Sequence, residues 1–173
     1  MALCNLDDVK AFLGLEAPTS DDLLNTLINN ASAFIENYTN RVFAVTNYVE
    51  IRNGTGSAKM PVQYAPITQL NSIKINDVDY TSYVKNTDNL IWFTNGNIFP
   101  SGLMNVELNY MAGYDAIPSD VSQVCVDLVA YKFKQKDRIG INSKTLGGEI
   151  VTFELRDIRV DIQNKLASYV RVV

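Results

Sequence analysis

Residues 117–138 place the strongest constraint on the fold, because they are typical of one helix with an unusually wide apolar surface. Pro118 and Ser119 form a helix start in which Ser119 can cap the free amides, and Asp120 follows where the helix dipole favours an anion. At about 100° per residue, the polar side chains fall on one narrow stripe. A helix that only lies on a sheet needs an apolar stripe of about 100°. We therefore predict that this helix is contacted on two sides, either as the central helix of a monomer or partly by a neighbouring subunit.

Two earlier stretches, 5–13 and 19–40, also have helical patterns. The longer one repeats apolar residues at three- and four-residue steps without a gap. Its opposite face is almost uncharged and includes Asn25 and Asn29. A solvated face explains that pattern most simply, and a second contact surface is the alternative. Residues able to cap the two helices precede them: Asn5 for the first, and Thr19 or Ser20 for the second.

The pattern changes to strands between the helical parts, with β-branched and aromatic runs separated by turn residues. The strand candidates are 43–52, 58–62, 67–75, 78–84, 90–94 and 104–112. They predict a small antiparallel sheet or open barrel, inserted at residues 42–112. We therefore expect a single α+β domain over 1–173. Its helical body (1–41 and 113–173) has two long helices plus short N- and C-terminal helices.

Two segments follow the central helix. Residues 139–150 are rich in Gly, Ser and Asn, which is typical of a mobile loop. Residues 156–170 place apolar side chains at three- and four-residue steps, which predicts a final amphipathic helix.

The composition disfavours enzymes and metalloproteins. The chain of 173 residues contains no histidine, so the commonest general base and the commonest transition-metal ligand are both missing. Its net charge of −4 gives the chain as a whole no attraction for phosphate. We expect no catalytic residue, no cofactor and no metal. Neither a membrane-spanning run nor a signal peptide is evident, so we expect a protein made and kept in a cytoplasm.

Two cysteines, Cys4 and Cys125, do not form the framework of a disulfide-rich protein. Cys125 lies on the apolar part of the central helix. We predict two free thiols, with Cys125 buried.

Positive charge concentrates at the end of the central helix and just after it. The residues are Lys132, Lys134, Lys136, Arg138 and Lys144. The negative pole at the C-terminus of a helix explains the first four. A small nucleic-acid-binding module that uses this patch is the alternative, and salt-dependent binding to duplex DNA would reveal it.

Three blocks of sequence together span nearly the whole chain. The first contains Ser20-Asp21-Asp22-Leu23-Leu24 and ends in Tyr38-Thr39-Asn40-Arg41-Val42-Phe43. The second is Asn109-Tyr110-Met111-Ala112-Gly113-Tyr114, followed by Ile117-Pro118-Ser119-Asp120. The third runs from Lys136-Asp137-Arg138 to Leu146-Gly147-Gly148. In this order and spacing the blocks are fairly specific, and they resemble the head–tail connector proteins of tailed phages, also called head-completion or adaptor proteins.

The resemblance implies a structural virion protein without catalysis, assembled in the host cytoplasm. It implies a homo-oligomeric ring of about twelve subunits beneath the portal protein, with a lower surface for a head-closure or tail protein. Double-stranded DNA would pass through the channel without sequence-specific binding, and no membrane is involved. A neighbouring neck protein, such as a head-closure or tail-end protein, is the alternative; those proteins are mainly β.

Two sets of residues are candidates for contacts in such a ring. A ring subunit needs two different lateral faces, for which the uncharged and apolar helix faces are suited. The candidates for the subunit interface are Asn25, Asn29, Val124, Leu128 and Tyr131. The resemblance further implies that the glycine-rich segment faces the channel or an adjoining ring, with Lys136, Arg138, Asn142, Lys144, Gly147 and Gly148 as candidates.

Overall fold

The computed structural model describes residues 1–136, 143–146, 149–152 and 160–171. The helices are α1 (Leu6–Leu13), α2 (Asp21–Thr39), α3 (Ser119–Gln135) and α4 (Val160–Leu166). The strands are β1 (Thr46–Gly54), β2 (Lys59–Pro61), β3 (Ile67–Ile75), β4 (Val78–Asp79), β5 (Val84–Asn86), β6 (Leu90–Phe93), β7 (Gly102–Ala112), β8 (Ser143–Leu146) and β9 (Glu149–Thr152). Short 3₁₀ turns are present at Pro18–Ser20, Thr81–Tyr83 and Ala167–Tyr169. The α+β class is confirmed.

The chain divides into two compact units. The first contains Met1–Arg41 and Pro118–Val173, and the second contains Val42–Ile117.

Helix α3 is the centre of the first unit. It packs against α1, α2 and α4, which confirms the prediction that it is contacted on more than one side. The helices of the chain itself provide these contacts. Its buried side chains follow the apolar spacing of the sequence: Val121, Val124, Cys125, Val126, Leu128, Val129 and Ala130.

Side chains near the C-terminus of the chain bind to the polar stripe of α3. The Tyr169 hydroxyl donates a hydrogen bond to the Asp120 carboxylate at 2.8 Å, and Lys165 forms an ion pair with Asp127 at 3.3 Å. The backbone amide of Arg171 donates to the carbonyl of Thr39 at 2.9 Å. These contacts attach the C-terminal segment to both long helices of the unit.

The N-terminal caps of the helices differ from the predictions. Asn5 and Ser20 occupy the N-cap positions of α1 and α2, yet neither side chain bonds a free amide there. Pro118 takes the N-cap position of α3, so Ser119 lies inside the helix and does not cap it. The C-terminus of α1 follows expectation, because Gly14 has φ of 68° and ends the helix in the left-handed conformation.

The second unit, which we call the β unit, consists of two antiparallel sheets with the strand orders β1-β7-β3-β4 and β2-β6-β5. Alternating side chains of the long strand β7 point into the core, among them Val106, Leu108 and Tyr110. Side chains from both sheets meet in one hydrophobic core, with Ile73 of β3 and Ile91 of β6 fully buried.

The predicted strand at 78–84 is wrong beyond Asp79. The backbone amide of Thr81 donates a hydrogen bond to the Asp79 carboxylate at 2.8 Å, which bends the chain into a turn. This bond, together with one from the Thr81 side chain, holds the pKa of Asp79 below its usual value. The Thr81 hydroxyl in turn accepts a hydrogen bond from the amide of Ile73 at 2.9 Å. A 3₁₀ turn therefore separates β4 from the short strand β5.

The interpretation of residues 139–150 as a loop needs correction at 143–146 and 149–150, whereas 139–142, 147 and 148 lie outside the described residues. Strands β8 and β9 pair antiparallel, with Ser143 opposite Thr152 and Leu146 opposite Glu149. Their β-branched residues, including Thr145 and Ile150, favour this pairing over an irregular loop. The predicted last helix (156–170) is shorter in the structure, since α4 ends at Leu166 and a 3₁₀ turn follows; residues 156–159 lie outside the described residues.

Candidate subunit interface

An open groove runs between α2 and α3, with a volume of about 540 Å³. It is lined by Leu27, Asn30, Ala31 and Phe34 of α2 and by Leu128 and Lys132 of α3. These residues lie three or four positions apart along each helix, so the 3.6-residue period places them on one side.

The groove is apolar at its base and polar only at its rim. Ala31 and Leu128 are nearly fully buried and form the base. Leu27 and Phe34 are half-buried, and Asn30 and Lys132 are exposed. Lys132 is the single charged residue that lines it. Such a surface suits an apolar segment of a protein partner better than a charged ligand.

The predicted interface residues of α2 lie elsewhere on the helix. Asn25 and Asn29 are both exposed. At about 100° per residue, each lies about 160° around the helix from Leu27. Helix α2 therefore presents two surfaces: the groove on one side, and an uncharged polar face, consisting of Asn25 and Asn29, on the other.

The predicted interface residues of α3 do not all reach the surface. Val124 is completely buried by the chain itself, so its side chain belongs to the core of the monomer and offers no contact to a neighbour. Leu128 forms part of the groove base. Tyr131 is half-buried and directly precedes Lys132 along the helix.

Sequence reasoning did not single out Leu27 and Phe34 as surface residues. Both belong to the apolar spacing of α2, which predicts a core position for each. The sequence signal that could have identified them as surface residues is their position at one edge of the apolar stripe, because a side chain there is only half covered by its own subunit.

The basic cluster at the end of α3 is divided between two sides of the helix. Lys132, Lys134 and Lys136 are all exposed. Lys132 and Lys136 share one side, whereas Lys134 lies about 160° away from Lys132. The Lys136 ammonium group lies 4.5 Å from the centre of the Phe133 ring. Of the other predicted loop residues, Lys144 lies in β8, and Arg138, Asn142, Gly147 and Gly148 lie outside the described residues.

A second exposed apolar surface is present in the β unit, where β7 begins. Leu103 is 86% exposed and Met104 is 73% exposed. The side chains of Asn53 and Asn105 hold this part of the chain in place. The backbone N–H of Met104 donates to Asn53 Oδ1, and the backbone N–H of Gly54 donates to Asn105 Oδ1, each at 2.8 Å. We call Leu103 and Met104 the apolar tip.

A buried carboxylate in the β unit has a structural role. Glu50 accepts hydrogen bonds from the Tyr110 hydroxyl and from the Gln63 amide, and it pairs with Arg52 at 3.3 Å. The Tyr110 hydroxyl also accepts a bond from the Tyr64 amide at 3.1 Å. Burial, together with the bond to Glu50, raises the pKa of Tyr110. These contacts tie the segment after β2 to the large sheet.

Other kinds of site find no support in the described ranges. No helix there has both the length and the apolar character that crossing a membrane requires. The same residues include no group of three or more Cys, Asp or Glu side chains arranged to hold a metal ion.

Comparison with known proteins gives both a family and a fold. No protein with a curated description matches the chain. One similar structure is a chain in the neck of an empty gene transfer agent (GTA) particle, computed with C6 symmetry. It has 14% identity, a TM-score of 0.59, and coverage of 96% of this chain and 89% of that one. A second, in the virion of a native GTA particle, has 14% identity, a TM-score of 0.55, and coverage of 92% and 81%.

A third similar chain belongs to the neck of a native GTA particle computed with C12 symmetry. It has 13% identity, a TM-score of 0.55, and coverage of 87% of this chain and 83% of that one. At these identities the likeness shows a shared fold. The sequence model of the head completion proteins, in contrast, matches residues 2–172, which is nearly the whole chain. The chain belongs to the head completion protein family.

Proposed function

We propose that this protein is a structural subunit of the neck of a tailed phage or phage-like particle. In this proposal it forms a ring beneath the portal, joins the head to the tail, and extends the channel through which DNA leaves. The observation that carries the proposal is the match to the head completion family over residues 2–172. The protein is assembled in the host cytoplasm and resides in the virion neck.

The ring of about twelve subunits is supported by the necks that contain similar folds, which were computed with C6 and C12 symmetry. A ring closes when each subunit uses two different surfaces in a head-to-tail contact. The two sides of α2 supply such a pair, because the groove is apolar while the face of Asn25 and Asn29 is polar and uncharged. An uncharged polar face costs less to bury against a neighbour than a charged one does.

The groove is the stronger candidate for a contact between subunits. It leaves Leu27 and Phe34 half-covered, and covering a large apolar side chain stabilises a contact by about 1.5–3 kcal/mol at most. Leu128 contributes to this contact from the base of the groove. The apolar tip is a second candidate and serves a different neighbour: the portal above, or the head-closure or tail protein below.

A channel role agrees with the charge of the chain. Each subunit carries a net charge of −4, so a ring of them repels DNA on average and lets it slide. The proposed channel residues Lys136, Arg138 and Lys144 add only local positive charge, and Asn142, Gly147 and Gly148 add none. Contacts with DNA are therefore weak, screened by salt and independent of sequence. No catalysis is part of this function.

The alternative of a nucleic-acid-binding module has less support, because the exposed lysines of α3 are split between two sides of the helix. A phosphate backbone would meet Lys132 and Lys136 together, with Lys134 turned away. The alternative of a mainly β neck protein is disfavoured by the helical unit around α3.

Assembly on the portal tests the proposal. The purified chain is mixed with the portal protein encoded by the same genome, and the mass of the complex is measured by light scattering. We expect many copies of the chain on each portal. Failure of the unmodified chain to bind the portal as a multimer would contradict the ring.

Matched variants test the groove in the same assay. Leu27→Lys places a charge in the groove wall, and Asn30→Lys places one at its exposed rim, where the fold is not disturbed. Ala11→Lys adds the same charge to an exposed position of α1. We expect the first two variants to lose assembly and Ala11→Lys to assemble normally. The melting temperature should be unchanged for Asn30→Lys, which is exposed, and only slightly lowered for Leu27→Lys, because Leu27 is half-buried. Normal assembly of Asn30→Lys and Leu27→Lys would remove the groove from the subunit contact.

A further inference from the structure

The two cysteines lie side by side although 121 positions separate them in the sequence. The Cys4 thiol donates a hydrogen bond to the Cys125 sulfur at 3.0 Å. The Ser32 hydroxyl lies 3.7 Å from the same sulfur and accepts a bond from the amide of Leu3 at 2.9 Å. The N-terminal segment is thus held against α2 and α3, with the two thiols facing each other. Both thiols are free and Cys125 is buried, as predicted; Cys4 is buried as well.

This arrangement is close to that of a disulfide. A disulfide bond is about 2.0 Å long, so the sulfurs need to approach by only about 1 Å. Cys4 lies in the segment before α1, which has no regular secondary structure, whereas Cys125 lies within α3. An irregular segment opens locally at a lower free-energy cost than the centre of a packed helix does.

We propose that Cys4 and Cys125 form an intramolecular disulfide when the folded protein meets a low-molecular-weight disulfide, and that this bond fastens the N-terminal segment to α3.

The reaction is thiol–disulfide exchange and proceeds in two steps. In the first, local opening of the N-terminal segment exposes Cys4, whose thiolate attacks one sulfur of the small disulfide. A mixed disulfide forms at Cys4 and one small thiolate leaves. In the second step the Cys125 thiolate attacks the Cys4 sulfur and expels the other small thiolate. The two protein protons pass through solvent to the leaving groups, so two thiols and one disulfide become one protein disulfide and two small thiols.

The electrostatics of the closed pair fit this order of events. The hydrogen bond to Cys125, together with burial, raises the pKa of Cys4, which keeps that thiol unreactive until the segment opens. The same hydrogen bond lowers the pKa of Cys125. The Ser32 hydroxyl also lowers the pKa of Cys125, and this contact does not depend on the Cys4 proton, so it remains in the second step, in which Cys125 attacks from within the protein.

The biological setting rests on the proposed function. A cytoplasm keeps thiols reduced, whereas a released particle meets an oxidising medium. A neck subunit would then assemble with both thiols reduced and acquire the cross-link after release. A bond across so long a stretch of chain restricts the unfolded state strongly and stabilises the folded one.

The purified full chain is incubated with oxidised glutathione, trapped with an alkylating agent and analysed by mass spectrometry. We expect a mass loss of two hydrogens, a Cys4–Cys125 cross-linked peptide, and a melting temperature higher by roughly 5–15 °C. A stable glutathione adduct, a cross-linked dimer, or two thiols still free under conditions that oxidise the denatured chain would each overturn the proposal.

Two variants serve as controls. Cys4→Ser removes one of the two thiols and leaves the core intact. This variant should therefore fold, form no cross-link and show no rise in melting temperature with oxidised glutathione. Cys125→Ser should behave in the same way. A rise in melting temperature with oxidised glutathione in Cys4→Ser would show that another reaction causes the stabilisation.

Particles from the encoding genome separate this inference from the proposed function. Released particles are denatured in an alkylating agent without reductant, and the chain is detected on a gel. A chain that is present and cross-linked supports both proposals. A chain that is present but fully reduced contradicts the disulfide alone, and particles that lack the chain contradict the neck function.

Discussion

At the scale of single residues, the buried pair Glu50–Tyr110 has a measurable energetic role. Tyr110→Phe removes the hydroxyl that donates to Glu50 and accepts from the Tyr64 amide. A buried group left without its partner costs about 1–3 kcal/mol, so we expect this loss in the free energy of unfolding at neutral pH. Denaturant unfolding measures it. Tyr38→Phe, on a helix of the other unit, is the control for the loss of a hydroxyl.

The same variant has a pH signature. The pKa of Tyr110 is raised in the folded protein, whereas an unfolded tyrosine has a pKa of about 10. Below about pH 10 the phenol keeps its proton in both states and its contribution to stability is full. Above that pH the unfolded chain releases this proton while the folded chain retains it, so stability falls. The difference between the unmodified protein and Tyr110→Phe should therefore shrink above about pH 10, and a constant difference would contradict this assignment.

Leu128 tests the core of the helical unit. It is 4% exposed, and an aspartate there would place a carboxylate among apolar side chains at the base of the groove, with the exposed Lys132 as the nearest cation on the helix; burying such a poorly compensated charge costs about 3–5 kcal/mol. We expect Leu128→Asp to lose soluble folding. Leu128→Met, which conserves volume, should cost less than about 1.5 kcal/mol. An unchanged melting curve for Leu128→Asp would show that the core is assigned wrongly.

Residue-level prediction from sequence succeeded where the signal is local and failed where the contact is distant. The apolar spacing of α3 predicts the burial of Val124 and Cys125, but it cannot tell a core side chain from one buried by a neighbour. Nothing near Cys4 in the sequence indicates Cys125 as its partner. The bond between Glu50 and Tyr110 likewise joins two strands through their register, which no single stretch encodes.

At the scale of elements, long periodic segments were predictable and short ones were not. Strand β3 has the predicted bounds of 67–75, and α3 (Ser119–Gln135) lies within the predicted helical stretch of 117–138. Strand β5 has only three residues, too few for a periodic pattern. The second half of the predicted 78–84 strand is displaced because the Asp79 side chain captures an amide and turns the chain.

Deletion of residues 143–152 tests the independence of the β8–β9 hairpin. The two strands pair only with each other within the described part of the chain, and the deleted stretch begins and ends at paired positions, since Ser143 lies opposite Thr152. A two-stranded hairpin adds little stability by itself. We expect a nearly unchanged melting temperature and impaired assembly on the portal.

A chain that ends at residue 159, and so lacks Val160 and all later residues, is the matched control for that deletion. This truncation removes α4, whose Ile162 and Leu166 are each 1% exposed and belong to the helical core. We expect a large fall in melting temperature. A comparable fall for the deletion of 143–152 would show that the hairpin is part of the core.

At the scale of the whole molecule, family membership and fold agree although the sequences of similar structures share only 13–14% identity. Resemblance in three spaced blocks was sufficient to identify the family from sequence. The groove was not predictable in this way, because its shape depends on how α2 and α3 pack. The uncharged face of α2 was visible in the sequence, and only the structure shows that it lies opposite the groove.

The most direct test of the neck function is electron cryomicroscopy of the necks of tailed particles produced by the encoding genome, with the chain carrying a small fused tag. We expect a closed ring of about twelve copies directly beneath the portal, with tag density on each subunit and the groove of α2 and α3 covered by the next copy. Particles with complete necks that contain no copy of the chain, or a chain bound away from the portal ring, would contradict it.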